Sequence, residues 1–387
     1  MLKTEAYNNS ILFLSLSKKN GYKAGVLYAY KGDGFIWDRN STAYRTNSAG
    51  LLELMASDVP RVDYTNTCPE ILIEKESENI ILQSNSLDNS FSGVVGTNDA
   101  VAPDGTMTAD SFDVTDSTNG GTYKNITLVN GNTYTYSVWL KGSVNGQKVL
   151  VRTDFNGDLT TFTLTTDWER YSTTFVSNSS TAQSIYLLNG LYVSPTNNDI
   201  YYVGDQQLES SDYATSYIPT TTTAVTRPQD IAYNTSVDVT GLVGTIFVRV
   251  RVFESTYAKT DTILSINDGT TDNYILIYSD ENRDITISTY GNPDQNDYTY
   301  SVFGADGVYN IAVGYDFSGA NNLINISIDG VQTQSIITQV NAPPPSLNRI
   351  DLGSIVGNLP QVDNKIIGVQ WFNTQLDDSS LAALTTA

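Results

Sequence analysis

The sequence predicts an all-β chain made of two antiparallel sandwiches, and three observations carry that reading. Alternating apolar segments recur along most of the chain, separated by Gly, Asn, Asp and Pro, the rhythm of short strands joined by turns. Tyr and Phe are abundant, at 25 and 12 residues, alongside many Thr, Val and Ile, side chains that fit a pleated, half-buried surface. Helical periodicity is almost missing, with one short candidate at residues 377–384.

Taken in order, residues 1–35 hold a compact apolar run at 11–16 (ILFLSL) and a Gly/Lys-rich stretch (KKNGYKAG). The run is far short of the ~20 apolar residues that span a bilayer. What precedes it carries Glu5 and no basic n-region, unlike a secretion signal. A short strand or a buried anchor explains it better, so residues 1–35 are expected to be an anchor or assembly segment. Residues 36–84 are mixed in character.

Residues 85–226 read as the first sandwich. Tyr134, Tyr136, Val138 and Leu140 fall on one face of a strand, and Thr135, Ser137 and Trp139 on the other. Further strands are expected at 147–155, 160–165, 169–176, 184–188 and 200–208, with turns at Asn130-Gly131 and Asn156-Gly157. Short strands in this number suit a jelly roll. A Thr-rich connector (PTTTTAVTRPQD) leads into residues 227–387, the second sandwich. There Ile246, Val248, Val250 and Val252 alternate with Phe247, Arg249, Arg251 and Phe253, and strands are expected at 274–278, 284–288, 309–315 and 323–328. Asp329-Gly330 marks a hairpin, and the apolar run at 366–372 precedes the helix. No sequence repeat links the two sandwiches.

Charge and composition exclude several classes of function. The formal charge is −21, from 42 acidic against 21 basic residues, a surface that repels phosphate backbones and argues against nucleic-acid binding. Histidine is absent, which removes Ser–His–Asp and Cys–His catalysis and every imidazole zinc site. Cys68 is the lone cysteine, so there is no intrachain disulfide. The expectation is a protein made in a cytoplasm, without membrane insertion, that reaches its destination by assembly.

Two sets of segments point further. The first comprises residues 38–44 (DRNSTAY), 47–51 (NSAGL), 58–64 (DVPRVDY) and 71–74 (ILIE), followed by Asn79; the second comprises 207–209 (QLE), 213–219 (YATSYIP) and 220–227 (TTTTAVTR). In this order they resemble a module of phage and prophage structural proteins, in which such segments bracket a jelly roll similar to carbohydrate-binding modules. The chain departs from that pattern at Glu78, where family members more often carry Thr. Residues 227–387 more loosely resemble concanavalin-A-type or laminin-G-like sandwiches, through residues 326–330 (ISIDG), 350–353 (IDLG) and 368–372 (GVQWF).

The resemblance implies a bacteriophage virion component, a head or tail fibre or a surface decoration, displaying glycan-binding-type domains without enzymatic activity. It implies a leader at residues 36–84 that packs on the sandwich after them, attachment to other virion proteins through residues 1–35, a homotrimer, and host-surface or mucin glycans as ligands. The rival readings are a polysaccharide depolymerase and a secreted bacterial glycan-binding protein.

Candidate chemistry is sparse. Glu74, Glu76 and Glu78 alternate as the acidic strands of retaining glycosidases do, but they lie ahead of the first sandwich, and Glu74 falls within the module segment, so a structural role is preferred. Trp139 shares its face with Thr135 and Ser137, and an aromatic ring flanked by polar groups suits the C–H face of a sugar. Tyr186 and Tyr202 are candidates for the same face. Tyr290, with Tyr298 and Tyr300, lies in an Asn/Asp-rich stretch read as a loop able to meet sugar hydroxyls. No cofactor is required, but Asp104, Asp110 and Glu209 are candidates for a structural Ca²⁺ site, since related jelly rolls hold one near the chain ends of the domain.

Overall fold

The computed structural model describes residues 12–15, 22–23, 26–27 and 34–386, apart from internal segments at 67–68, 88, 114–118, 191–199, 237–238, 240–241, 253–260, 280–283, 292–293, 301–306, 319–322, 336–346 and 358–364. The chain is almost entirely antiparallel β-structure and divides into two compact units. Unit 1 comprises Met1–Arg45, Met55–Lys75 and Pro228–Ala387; unit 2 comprises Thr46–Leu54 and Glu76–Arg227. Among the described residues no helix is long and apolar enough to cross a membrane.

Unit 1 is a sandwich of an eight-stranded and a seven-stranded sheet. The centre of the first sheet is Val243–Val252, hydrogen-bonded to Gly307–Asp316 on one side and Lys365–Phe372 on the other. Its strict alternation does what the sequence expects: Ile246, Val248, Val250 and Val252 enter the core between the sheets. Phe247 faces the other way and packs with Ala312 under Leu381 of the C-terminal helix, Asp378–Thr385. That helix starts where Asp377 caps it, its carboxylate accepting from the Ser380 amide at 2.7 Å. The hairpin at Asp329-Gly330 is present, with φ of 47° and 79° at the two residues, the twist a two-residue loop requires.

The seven-stranded sheet runs in the order Asp294–Tyr300, Ile285–Gly291, Asn273–Ser279, Asp261–Asn267, Arg349–Leu352, Ile231–Asn234, Ile36–Asp38. Its last strand corrects an expectation. Much of the leader serves this unit and not the jelly roll: Ile36–Asp38 closes one sheet against Ile231–Asn234, and Glu70–Leu72 and Arg61–Asp63 extend the other. Phe35, Trp37, Val62, Ile71 and Ile73 are buried in the unit 1 core. The reason is edge pairing, since each short strand satisfies its backbone on a sheet edge while placing an apolar side chain inside. Leu12–Ser15 likewise pairs with Lys365–Phe372, so the described part of the apolar run near the N-terminus is a strand.

Unit 2 packs two five-stranded sheets around one core. One sheet, here the tyrosine sheet, orders Asn89–Phe91, Asn119–Thr127, Ala182–Gly190, Lys148–Thr153 and Gly157–Thr163. The other, the tryptophan sheet, orders Val94–Ala100, Ala109–Asp113, Tyr201–Glu209, Thr133–Gly142 and Glu169–Val176. Tyr134, Tyr136, Val138 and Leu140 line the core as their alternation predicts.

Candidate functional site

The tyrosine sheet presents the most binding-competent surface of unit 2. Ile185 and Leu187 point into the core, so Tyr186 between them faces outward. In register, Asn89, Tyr123, Tyr186 and Arg152 lie side by side across four strands, and Phe91 lies one row along. The Tyr123 and Tyr186 ring centroids are 5.6 Å apart, and Phe91 meets Tyr186 edge-on at 6.5 Å. All three rings are half-buried. Gly121 allows the approach, because a Cβ there would stand 2.6 Å from Leu188 Cδ2 and 3.2 Å from the Phe91 ring.

A fixed polar group borders the rings. The exposed Asp154 carboxylate accepts the Tyr186 hydroxyl at 2.8 Å and the Ser184 amide at 2.7 Å. Burial and this carboxylate together raise the Tyr186 phenol pKa, so the ring stays neutral. Two bonds fix Asp154 while leaving acceptor capacity on its solvent side. Exposed Arg152, held to Asp158 at 2.7 Å, and exposed Asn125 complete the border. Flat apolar rings with oriented donors and acceptors beside them are what a sugar ring needs: its C–H face stacks and its hydroxyls hydrogen-bond.

Trp139 and Tyr202 share the outward face of the other sheet. Trp139 lies between Arg170 and Gly204, and Tyr202 lies opposite Lys141, whose ammonium is 5.9 Å from the phenol ring centroid. Tyr186 does not join them, because its strand belongs to the tyrosine sheet. The Trp139 site is crowded. Pro103 Cδ would stand 3.1 Å from a Cβ on Gly204, and Arg170 crosses to Ser137 Oγ at 2.9 Å. The indole N–H is buried without a hydrogen-bond partner among the described residues. Beside it the strand bulges at Asp205, which has a φ of 23°. Burial first, and the Asp104 charge second, push the Asp205 carboxyl up to about 6.

Tyr290 belongs to unit 1 and is on a strand, not in a loop. Ile285–Gly291 pairs with Asp294–Tyr300, which carries the Asn/Asp-rich residues into the sheet, and the Tyr290 ring lies 5.5 Å from Tyr274. The side chains of Tyr298 and Tyr300 lie outside the described residues.

The three carboxylates nominated for Ca²⁺ do not form a ligand set; among the described residues no group of three or more metal-ligating side chains occurs. Each is occupied locally. Buried Asp110 accepts the amides of Leu87 at 2.7 Å and Asn98 at 2.9 Å. Buried Glu209 accepts the Ser77 hydroxyl at 2.6 Å and the Thr215 amide at 3.0 Å. Asp104 closes a turn on Thr106, at 2.9 Å from its amide.

The acidic strand is likewise structural at its start. Glu74 is buried, with Oε2 2.8 Å from Arg61 Nη1, whereas Glu76 and Glu78 are exposed. Arg61 also pairs with Asp230, which meets Arg39 at 3.0 Å. The segments that carry the phage-module resemblance thus supply members of buried polar networks: Arg39, Arg61 and Glu74 around Asp230 in unit 1, and Asn79, Gln207, Glu209 and Thr215 in unit 2.

The sequence reading missed Phe91, Tyr123, Asp154 and Arg152, the neighbours that give Tyr186 its surroundings. The run Thr122 to Thr127 alternates and contains Ile126, which marks the core face and places Tyr123 on the opposite one, but Lys124 shares the face of Ile126 and obscures that signal.

No protein-family profile matches the chain, and no curated protein matches it. Among solved structures 86 chains match. The Ruminococcus gnavus IT-sialidase CBM40 bound to alpha2,3 sialyllactose overlaps with a TM-score of 0.32 and 16% identity, over 39% of this chain and 87% of that one. The NanB sialidase of Streptococcus pneumoniae overlaps with a TM-score of 0.32 and 11% identity, over 38% of this chain and 24% of that one. The binding domain of botulinum neurotoxin DC, in complex with rat synaptotagmin II, gives a TM-score of 0.33 and 15% identity, over 40% of this chain and 39% of that one. At such scores these likenesses carry no argument about function.

Proposed function

We propose that the chain is a non-catalytic saccharide-binding protein whose outward tyrosine-sheet face takes a neutral sugar. The observation that carries this reading is the Phe91–Tyr186–Tyr123 row beside Asp154, a carboxylate held in place by two hydrogen bonds and open to solvent. A neutral ligand follows from charge. Arg152 is already paired with Asp158, Asp154 adds a negative charge, and the chain as a whole carries −21, so an acidic sugar meets net repulsion. Burial of Glu74 in an ion pair speaks against a depolymerase built on the acidic strand.

The particle-bound role is the finer part of the same proposal. The resemblance of the bracketing segments to phage structural proteins supports a head or tail fibre or a decoration subunit. It is made in the host cytoplasm, attached to other virion proteins through residues 1–35, trimeric, and turned towards host-surface or mucin glycans. No cofactor is proposed for the sugar site.

The test is a panel of immobilised neutral and acidic oligosaccharides probed with the intact chain, alongside Tyr186→Ala and Asp154→Asn. A neutral ligand bound by the native chain and lost about tenfold or more in both variants supports the site. Binding that both variants retain sinks it. Mass spectrometry of purified particles tests the virion assignment separately, and absence of the chain from them would remove it.

A further inference from the structure

The outward face of the seven-stranded sheet in unit 1 has a composition that scaffolding does not need. Its inward face is Ile266, Ile275, Ile277, Ile285, Ile287 and Ile350, all in the core. Its outward face is polar and aromatic. One row across the strands reads Arg349, Asn267, Tyr274, Tyr290, and the next reads Tyr233, Asp351, Ser265, Leu276, Ser288, Asp297. Asn267, Ser265, Ser288 and Asp351 are fully buried, while Tyr233, Arg349, Tyr274 and Tyr290 above that polar floor are half-exposed.

The floor is rigid and internally satisfied. Asn267 donates to Asp351 at 2.7 Å and to Ser265 Oγ at 2.9 Å, and Ser265 in turn donates to the Ser354 carbonyl at 2.9 Å. Arg349 is held from two directions. Its guanidinium lies over the Tyr233 ring, 3.9 Å from the centroid, and its Nε and Nη2 donate to Asp351 at 2.7 and 2.5 Å. A guanidinium carries five N–H groups, so its other donors are oriented and have no acceptor among the described residues.

Beside the fixed donors stands a pair of rings. Tyr274 and Tyr290 lie 5.5 Å apart at an interplanar angle of 34°, and Asp297, close enough to act on Tyr274, is exposed at the far side. Preorganised donors beside an aromatic surface match a polyhydroxylated ring and cost little conformational entropy on binding. Electrostatics decide the class. Asp351 neutralises Arg349, and half-exposed Asp268 together with the chain's net charge of −21 leaves the surroundings negative, so the face suits an uncharged ligand.

We infer that this face is a second saccharide site, for a neutral sugar, in which Arg349 donates to ring or hydroxyl oxygens and Tyr274 and Tyr290 stack on the C–H surface. It stands on side chains separate from those of unit 2. The chain then carries two saccharide sites, one in each unit.

The test uses the intact chain, the same oligosaccharide panel, and the variants Tyr274→Ala and Arg349→Gln compared with Tyr186→Ala. The result expected is a neutral ligand whose binding falls about tenfold in Tyr274→Ala and Arg349→Gln but is unchanged in Tyr186→Ala. If the two unit 1 variants bind every ligand as the native chain does, or if the native chain binds no neutral ligand, the inference is overturned. Hydrogen exchange on the native chain covers the case in which a variant unfolds. Added ligand must protect amides in Asn273–Ser279 and Arg349–Leu352, and no protection there overturns the inference equally. Failure of the unit 2 site is a different result, since it leaves Tyr186→Ala without effect on any ligand.

Discussion

Arg61 and Glu74 form a buried ion pair, Nη1 to Oε2 2.8 Å, in which the same guanidinium also holds Asp230. Asp230 further accepts the Glu74 amide at 2.9 Å and pairs with Arg39, so charges from four separate stretches of chain neutralise one another inside unit 1. Removing one member leaves its partners charged and buried, which costs about 3–5 kcal/mol. Asp230→Asn and Glu74→Gln should each lower the unfolding free energy by that order, seen in urea as a lower midpoint with the slope unchanged. A substitution that leaves the midpoint in place would show that the network contributes nothing. On a capsular polysaccharide, neither the native chain nor Glu74→Gln should release reducing ends; release by the native chain that vanishes in the variant would restore the depolymerase reading.

Asn79 makes the corresponding prediction for unit 2. Its Nδ2 donates to the carbonyls of Gln206 at 3.1 Å and Ile218 at 2.8 Å, and its Oδ1 accepts the amides of Ile81 and Leu208, both at 3.1 Å. Only a carboxamide both donates and accepts in this way. Asn79→Ala should cost about 3–5 kcal/mol because buried backbone groups lose partners. Asn79→Asp should recover little, since it keeps the acceptor and loses the donor. Chemical denaturation of both variants measures the difference, and a fully stable Asn79→Asp would contradict the assignment.

How much of this was legible beforehand depended on the range of the signal. Local patterns read well: the alternation of Ile246 to Val252, the Asp329-Gly330 turn and the helix after Asp377 all appear where expected. Non-local pairing did not. Nothing near Trp37 or Ile71 in sequence says that their strands close sheets built from residues after 228, across an intervening unit. Three buried polar residues also misled. Lys124 points inward and donates to the carbonyls of Leu82 at 3.3 Å and Gln83 at 2.8 Å, which hid Tyr123 on the opposite face. Asp110 and Glu209 look like cation ligands in sequence, yet amides and hydroxyls of the chain occupy them.

Asp205 gives the pH prediction. Its carboxyl is raised from 3.8 to about 6, by burial and then by Asp104. For an acid raised on folding, the unfolded chain releases its proton first, so the folded state holds more protons between about pH 4 and 6. Stability contributed by the neutral form is therefore present at low pH and lost as pH rises through 6. Asp205→Asn should leave stability near pH 4 unchanged and raise it by about 1–2 kcal/mol above pH 7, after allowance for partial screening at a half-buried site. Asn also accepts the positive φ. Unfolding curves at the two pH values decide the matter, and a gain of equal size at both would refute the titration.

Gly330 separates backbone from contact. Its φ is 79°, and a Cβ there would stand 2.5 Å from Thr386 Oγ1, while its amide donates to Thr385 Oγ1 at 2.9 Å. Gly330→Ala thus meets two penalties, the left-handed backbone at about 1–2 kcal/mol and the clash with the C-terminal residues. Thr386→Ala in the same chain removes the oxygen and should return the contact part alone. Gly330→Asn tolerates the backbone better but keeps a Cβ, so it should return the backbone part alone. A double-mutant cycle on thermal unfolding reads both. If Thr386→Ala restores nothing, the hairpin and the helix end do not press on each other, and the whole cost belongs to the turn.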